Sequence, residues 1–591
     1  MKFRNISQWQ LSKGIEGLLF FAQRFNELLF DYTLDSYKPS ALNAPYLAQE
    51  AVNLTKEIES GLIDAANLEP VLEELEWAIQ HDSTSKRLLD AGVEFYILLG
   101  ESVKHSEQKL RLEVLAQTLE PYRYLLACID DLYDAIKKNS KKLIESHARS
   151  LATTLINMGV SKQHLGDVLD DSFFNYQGDA IASVDYFLVF IDRVKPIAHN
   201  FDLYFIATSL IKEISDSIVS LDAEIVDKLP EELEGFAKSK GFLKNPNEVY
   251  VHIDDIRAYD KYSARDEAIR TLENLSNLFT IFHHKSRIFW RPEALANQCC
   301  APGMVLVPAP KSAMDKVADM RPGKASKELN RLITTLPMHN PSSVRLMRVA
   351  DLHGICVSHP ISENQLVNIW TALETLIPSN LANSKIVNIT NAMLPFLMKA
   401  YVGRIIERFT YDILIWNNWL AKKILKKVPS TAGASLVQRA TDLLTIKDNE
   451  DIRKELYVAL RDFHLLRHRA FQLSEILSDP RKIEDLLNTH EKKVTWQLRR
   501  IYRTRNLIVH SGRFPSYLPT LIENGHDYLD QVIFDLIKMM CGEYRTDTIE
   551  QAFEIAKVLN IKFKRQLDEV KEFSAENNSF LIDKGPAIIL A

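Results

Sequence analysis

The sequence predicts a mainly α protein with a helical N-terminal region, a small α+β module in the middle and a C-terminal helical bundle. Glycine is scarce, at 19 of 591 residues, and apolar residues recur at helical spacing over most of the chain. Three segments between residues 184 and 253 are instead rich in β-branched and aromatic residues, which favours strands. A chain of this length is expected to form several domains rather than one core.

Changes in composition divide the chain into five segments. The clearest boundary is a stretch with five prolines between Pro292 and Pro322. The predicted segments are a helical N-terminal domain at 1–180, an α+β module at 181–291, a Pro-rich connecting segment at 292–342, a helical bundle at 343–545, and C-terminal helices with an apolar tail at 546–591.

Amphipathic and β-rich patterns place the elements of the first two segments. Helices of the N-terminal domain are predicted at 14–32, 46–62, 68–81, 85–102, 108–136, 141–158 and 162–170. The module is predicted to hold strands at 184–191, 201–206 and 248–253, and helices at 210–221, 230–240 and 264–285. Since no residue cluster in the N-terminal domain suggests chemistry, a sensor and an ordinary scaffold are both open interpretations of it.

Helical periodicity continues to the C-terminal end of the chain. The predicted helices there are 326–336, 343–352, 363–377, 383–392, 396–424, 435–444, 449–477, 482–490, 494–512, 526–540, 548–559 and 562–573.

Composition also excludes several classes of protein. The net charge is −6, so any contact with RNA requires a local basic patch. The five cysteines are an odd number, which argues against a disulfide framework, and none forms a C-x2-C pair, which argues against a zinc site. This cysteine usage favours a reducing cytoplasm. Neither a signal peptide nor a membrane span is evident. The sequence has no glycine-rich nucleotide-binding loop, so we expect no nucleotide-driven switch. We also expect no cofactor, no metal and no membrane partner.

The most informative segment is the predicted helix at 494–512, which should end near Gly512. On a helical wheel its buried face holds Val494, Leu498, Ile501, Tyr502, Ile508 and Val509. Arg505 points into the middle of this apolar face, so we expect it to be paired or to face a cavity, because an isolated buried charge is costly. A neighbouring polar stripe contains Arg499, Arg503, Asn506 and His510.

The surroundings of this helix are basic. Between residues 485 and 513, seven Lys or Arg residues stand against two acidic residues, a local charge of +5. Such a charge is sufficient for a phosphate-binding face. Besides the polar stripe and Arg505, the residues expected to bind RNA are Lys492, Lys493, Arg500 and Arg513.

Arg505, Asn506 and His510 form the pattern R-N-x-x-x-H, which resembles the signature of HEPN domains, helical bundles found in many prokaryotic toxins and defence proteins. The run at 363–378, with W-x-A-L-E at 370–374, is similar to the first helix of the Apea-like abortive-infection branch of that family. Together these similarities cover residues 355–545. A second R-x4-H spacing joins Arg348 to His353, but it lacks the Asn, so the Arg505 copy is preferred.

The resemblance implies a HEPN-like bundle with metal-independent endoribonuclease activity, acting as a toxin in anti-phage defence by abortive infection. It would cut tRNA or other RNA to 2′,3′-cyclic phosphate and 5′-hydroxyl ends. His510 would be the general acid or base, and Arg505 would stabilise the phosphate and the transition state. Asn506 would be the positioning residue of the site. The residues expected to line the site are Glu374, Arg499 and Arg503, with Glu374 the natural partner of Arg505.

Arg505 and His510 lie about 140° apart on an ideal helix, so one copy of the motif does not converge. In HEPN proteins a homodimer brings two motif helices together, and the resemblance implies the same here. The N-terminal region would then regulate the enzyme, for example by sensing a phage-derived trigger. The alternatives are a non-catalytic HEPN-type module that binds RNA or protein, and a helical scaffold in which the motif is accidental.

Overall fold

A computed structural model describes most of the chain, and within the described residues the fold is mainly α, as predicted. It has 24 α-helices and one five-stranded antiparallel sheet. The predicted apolar tail lies outside the described residues. Those residues are 1, 3–11, 14–29, 38–98, 105–175, 178, 180–219, 222–301, 303–316, 319–335, 340–378, 384–542 and 544–582.

The chain forms two compact units. The first contains Met1–Thr153, Asp179–Val184 and Ala313–Ala591, and the second contains Thr154–Gly178 and Asp185–Ser312. The N-terminal helices and the C-terminal bundle, which composition separates into different segments, therefore share the first unit.

The N-terminal helices follow the predicted pattern with two exceptions: the helix predicted at 85–102 ends at Leu88, and the helix predicted at 108–136 is divided. They are α1 (Glu16–Leu28), α2 (Ala44–Glu59), α3 (Leu68–Gln80), α4 (Ser83–Leu88), α5 (His105–Thr118), α6 (Pro121–Lys137) and α7 (Lys141–Met158). The single helix predicted at 108–136 is two helices. Pro121 occupies the first turn of α6, and the Glu120 carboxylate accepts hydrogen bonds from the next two backbone N–H groups, which starts a new helix.

The second unit holds the sheet. Its helices are α8 (Lys162–Leu169), α9 (Tyr186–Val194), α10 (Ser215–Ile218), α11 (Glu231–Ser239) and α12 (Lys261–Phe282). Its strands are β1 (His199–Thr208), β2 (Ala223–Val226), β3 (Glu248–Ala258), β4 (Ala294–Gln298) and β5 (Val305–Val307), in the order β2-β3-β1-β4-β5. Buried residues of α12 pack with β1 and β3 in one core.

The strands predicted at 201–206 and 248–253 are confirmed as β1 and β3, but the strand predicted at 184–191 is wrong. That segment forms α9, whose buried residues are Phe187, Phe190, Ile191 and Val194. This spacing is helical, so burial of one helix face outweighs the β propensity of the individual residues. Strands β4 and β5 lie in the Pro-rich segment, which the sequence predicts as a loop.

The described residues of the C-terminal part of the first unit form a bundle of twelve helices. They are α13 (Pro322–Thr335), α14 (Pro341–Ser358), α15 (Ser362–Leu376), α16 (Lys385–Lys399), α17 (Tyr401–Trp416), α18 (Asn418–Lys427), α19 (Leu436–Thr445), α20 (Glu450–Ala459), α21 (His464–Leu477), α22 (Pro480–Ser511), α23 (Leu518–Cys541) and α24 (Ile549–Glu569). Trp370 of α15 is fully buried and shares one core with Leu498 and Ile501 of α22 and with Leu529 of α23.

Helix α22 carries the R-N-x-x-x-H pattern and is 32 residues long. Its predicted end is confirmed: Gly512 follows Ser511 with φ of 67° and donates its N–H to the Ile508 carbonyl, a left-handed cap that glycine adopts readily. The two helices predicted at 482–490 and 494–512 are one, because nothing in the polar residues between them breaks a helix.

Candidate functional site

Arg505 lies half-buried on α22, and its surroundings leave much of its guanidinium unused. Nη1 donates a hydrogen bond to Asn506 Oδ1 at 3.1 Å. Nε is buried without a hydrogen-bond partner. Within the described part of the chain, no carboxylate forms an ion pair with Arg505. A half-buried cation without a counter-ion is unfavourable, so this position suits an anionic ligand.

His510 lies in the last turn of α22 and is exposed, together with Ser511 and Gly512. Because the left-handed cap ends the helix immediately afterwards, the imidazole lies at an exposed helix end and is accessible to a ligand from solvent. Asn506 is one turn earlier and half-buried. The structure therefore brings Arg505 and Asn506 into contact and leaves His510 accessible one helical turn from Asn506.

Glu374, the expected partner of Arg505, makes different contacts. Its carboxylate accepts a hydrogen bond from Trp370 Nε1 at 2.5 Å and forms an ion pair with Lys385 at 2.9 Å. Trp370 also packs at 5.3 Å, ring centre to ring centre, against Tyr502 of α22. Glu374 thus lies close to the motif helix, but Lys385 and not Arg505 neutralises it.

Arg500 and Arg503 are buried in an ion-pair cluster, here called the Arg500 cluster, with Glu50 of α2 and Glu74 of α3. The Arg500 guanidinium lies 2.9 Å from Glu50 and 2.6 Å from Glu74, and Arg503 lies 3.0 Å from Glu50. Only 1% of Arg500 is exposed. Both guanidinium groups are therefore occupied by protein carboxylates, and they fix α22 to α2 and α3 instead of facing solvent.

The charges of the Arg500 cluster control its protonation states. Burial alone would raise the pKa of the Glu50 carboxyl, but Arg500 and Arg503 lower that pKa to about 2. Burial would lower the pKa of the Arg500 guanidinium, yet Glu50 and Glu74 hold it well above its usual value. The ion pairs therefore outweigh burial and favour the charged forms of Glu50 and Arg500.

The other basic residues differ in how available they are. Lys492 and Arg513 are exposed, and Arg499 is half-buried with an unpartnered Nε. Lys493 places its ammonium 4.8 Å from the ring centre of Trp77, a cation–π contact. Among the described residues, therefore, Lys492, Arg499, Arg505 and Arg513 are the basic groups near the motif without an ion pair.

A cavity of 440 Å³ lies beside α22, in the first unit. Its lining includes Trp77, Lys493, Trp496 and Arg500, and Trp77 and Trp496 contact each other at 5.9 Å between ring centres. No local sequence pattern indicates this cavity, because its walls come from segments hundreds of residues apart. Trp496 is 7% exposed, so it belongs to this wall and to the core.

The second R-x4-H spacing has a different environment. His353 of α14 contacts His526 and Asp530 of α23, with 3.0 Å between the two Nε2 atoms. No sequence signal predicts this cluster, since His353 and the α23 residues are far apart in the chain.

No described helix is both long and apolar enough to cross a bilayer. Comparison of the chain with protein-family models, with curated proteins and with solved structures found no match. What α22 does must therefore be inferred from its side chains and their surroundings.

Proposed function

We propose that this protein is a metal-independent, HEPN-type endoribonuclease that acts in the cytoplasm as an abortive-infection toxin in bacterial anti-phage defence. One observation carries the proposal. A half-buried Arg505, which forms no ion pair with any carboxylate among the described residues, is hydrogen-bonded to Asn506. Asn506 stands one helical turn from the exposed His510.

A phosphodiester is the ligand that best satisfies Arg505. A guanidinium has five N–H donors, and the contact with Asn506 uses one of them. The remaining donors can bind two phosphate oxygens at once, a charge-assisted geometry that is stronger than neutral hydrogen bonding. Arg499 and Arg513, which form no ion pair with any described residue, supply further charge for an RNA backbone.

The proposed reaction is attack of an RNA 2′-oxygen on the neighbouring phosphorus. The 2′-O–P bond forms while the P–O5′ bond breaks, which yields a 2′,3′-cyclic phosphate and a 5′-hydroxyl end. A base removes the proton from the 2′-hydroxyl and an acid protonates the departing O5′; histidine can serve in either role near neutral pH. Arg505 stabilises the negative charge that develops on the phosphorane oxygens, and Asn506 holds Arg505 in place.

A homodimer supplies what one chain lacks. The reaction needs both a base and an acid, and each α22 offers one exposed imidazole, His510. Two copies of α22 facing each other would provide two imidazoles and two Arg505 guanidinium groups in one cleft. In this account the Arg500 cluster attaches α22 to the N-terminal helices α2 and α3, which gives the N-terminal region a physical route for regulating the cleft in response to a phage-derived trigger.

The test is RNA cleavage by purified protein and in phage-infected cells, followed on tRNA and total RNA. His510→Ala should reduce cleavage by at least about 100-fold, the usual contribution of an acid–base group. Arg505→Ala should reduce it by about 100-fold or more, the usual contribution of a group that stabilises transition-state charge. His359→Ala is a matched control, because His359 is an exposed histidine just after α14, and it should cleave like the wild type.

Two results would reject the catalytic proposal. Undiminished cleavage by His510→Ala would show that the motif does not take part in the cleavage reaction. Tight RNA binding without cleavage by the wild type, in the purified system and in infected cells alike, would favour the non-catalytic binding module.

A further inference from the structure

Three metal-ligating side chains meet between α14 and α23 in the first unit. His526 and Asp530 are one turn apart on α23, and therefore on one face of that helix, while His353 reaches them from α14. Nε2 of His353 lies 3.0 Å from Nε2 of His526 and 3.1 Å from one Asp530 carboxylate oxygen. Nε2 of His526 lies 3.3 Å from the other Asp530 oxygen.

These separations are close to those between neighbouring ligand atoms around a bound metal ion. Zinc binds imidazole nitrogen and carboxylate oxygen at about 2.0–2.2 Å, and tetrahedral geometry then separates neighbouring ligand atoms by about 3.3–3.5 Å. The three observed separations are 3.0–3.3 Å, and the two imidazoles approach different oxygens of the Asp530 carboxylate. A small expansion, with one or both of these oxygens as ligands, would admit such an ion. Two imidazoles and one carboxylate form a donor set that suits zinc and related divalent transition metals.

The three residues differ in burial, so one side of the cluster is closed to solvent and another side is accessible. The side chain of His526 is 5% exposed and that of Asp530 is 16% exposed, whereas that of His353 is 30% exposed. The buried pair restricts motion of the donors, and the more exposed His353 leaves a route by which an ion and a water molecule can reach them.

We propose that His353, His526 and Asp530 bind a divalent transition-metal ion, of which zinc fits best, with water completing the coordination. The ion ties α14 to α23 in the bundle that contains α22. The proposal is independent of the ribonuclease activity, because it rests on side chains outside the R-N-x-x-x-H helix.

Lys316 is the internal competitor of the ion. Its ammonium group forms an ion pair with Asp530 and a second, at 3.5 Å, with Asp527. Asp527 is also paired with Lys38, at 3.3 Å. The Lys316 side chain is 29% exposed, so its flexible stem can turn toward solvent when a divalent cation takes the carboxylate, while Lys38 still neutralises Asp527.

A second group of ligating side chains must be separated from this one in any binding measurement. His199, Cys299 and Cys300 lie close together in the second unit. Both cysteines are exposed. A double variant, Cys299→Ser with Cys300→Ser, removes the thiolates and therefore isolates the contribution of the histidine–aspartate cluster.

The test is titration of the full, metal-stripped chain with Co²⁺, read from the visible absorption of four-coordinate cobalt, with Zn²⁺ competition. In the double-serine background, His353→Ala and His526→Ala should each weaken binding by about 100-fold or more, because loss of even an indirect partner of a metal site costs about 10–100-fold. Lys316→Met should strengthen binding, since it removes the competing ammonium. Circular dichroism checks that each variant is folded.

His353→Ala is the decisive variant, because the partly exposed position makes misfolding a poor explanation of lost binding. Equal Co²⁺ affinity for His353→Ala and its parent would overturn the proposal, as would the absence of a four-coordinate cobalt band in the double-serine protein. Weaker or unchanged binding in Lys316→Met would also contradict it. None of these outcomes depends on RNA cleavage, so they are distinguishable from failure of the proposed function.

Discussion

Arg500 is almost inaccessible to solvent and still carries its charge, because carboxylates from α2 and α3 bind it from two directions. Taking any one partner away leaves a buried charge without compensation. Such removals typically cost about 3–5 kcal/mol. The attachment of α22 to the N-terminal helices is therefore sensitive to single substitutions in the Arg500 cluster.

Glu50→Gln tests this attachment and should lower the free energy of unfolding by about 3–5 kcal/mol at neutral pH. The effect should depend on pH. The pKa of the Glu50 carboxyl is about 2 in the folded chain against an ordinary value of 4.5, so its contribution is complete above the ordinary value and lost as the pH falls through the folded value. The measurement is denaturant unfolding of both proteins between pH 7 and the acid limit of folding.

Glu69→Gln is the control, because Glu69 is an exposed glutamate on α3, and it should leave stability within about 0.5 kcal/mol of the wild type. A gap between wild type and Glu50→Gln that stays constant as the pH falls would show that ionisation of Glu50 is not what stabilises the cluster.

The helical wheel predicts that Arg505 points into the buried face of its helix, whereas in the structure Arg505 is half-buried. It also assigns Arg503 to the polar stripe shared with His510. In the structure Arg503 is 7% exposed and paired with Glu50, whereas His510 is exposed. A wheel contains no information on which neighbouring helix covers a stripe, so the division of that stripe into a buried and an exposed end could not be predicted.

At the scale of elements, two helical glycines should respond oppositely to the same substitution. A Cβ added to Gly17 of α1 would lie well inside van der Waals contact of the Ile136 carbonyl oxygen of α6. A Cβ added to Gly354, an exposed residue of α14, would meet nothing within 4 Å. Gly17→Ala should therefore destabilise the protein by about 1–3 kcal/mol, and Gly354→Ala should stabilise it by about 0.5–1 kcal/mol.

Thermal unfolding of the two variants beside the wild type measures both effects. Because the side chain added is the same, the pair separates helix propensity from crowding between α1 and α6. Stabilisation by Gly17→Ala would mean that the two helices are not held at this close approach.

Most helices follow from periodicity, and the errors have physical causes. Helix α22 extends from Pro480 to Ser511 because no helix breaker separates its two predicted halves. Segment 184–191 is a helix despite its β-branched and aromatic residues, since tertiary burial decides between the two forms. Strands β4 and β5 lie among prolines and glycines, where local propensity carries little signal for short strands.

At the scale of the whole molecule, the joining of residues 1–153 and 313–591 in one unit could not be predicted from composition. The contacts that join them, such as Arg500 with Glu50 and Arg469 with Glu27 at 3.0 Å, connect residues more than 400 positions apart. More of the candidate site than of the unit boundaries could be predicted from the sequence, because R-N-x-x-x-H is a local pattern on one helix. The cluster of His353, His526 and Asp530 could not be predicted in this way, because the spacing of His526 and Asp530 on α23 does not indicate that His353 of α14 joins them.

The proposed dimer can be tested by mixing the wild type with an inactive variant. An excess of His510→Ala subunits should lower the activity of the wild type after subunit exchange, because a composite cleft with only one His510 lacks either its acid or its base. The measurement is RNA cleavage before and after subunit exchange, with the dimer followed by light scattering. A monomeric wild type that is fully active would exclude a composite cleft.

The ends of the RNA fragments test the central claim most directly. Wild-type protein and His510→Ala are incubated with tRNA in EDTA, and the fragment ends are identified by mass spectrometry. The ribonuclease account predicts 2′,3′-cyclic phosphate and 5′-hydroxyl ends from the wild type and intact RNA with His510→Ala. Cleavage that requires a divalent metal, leaves 5′-phosphate ends or persists in His510→Ala would contradict it.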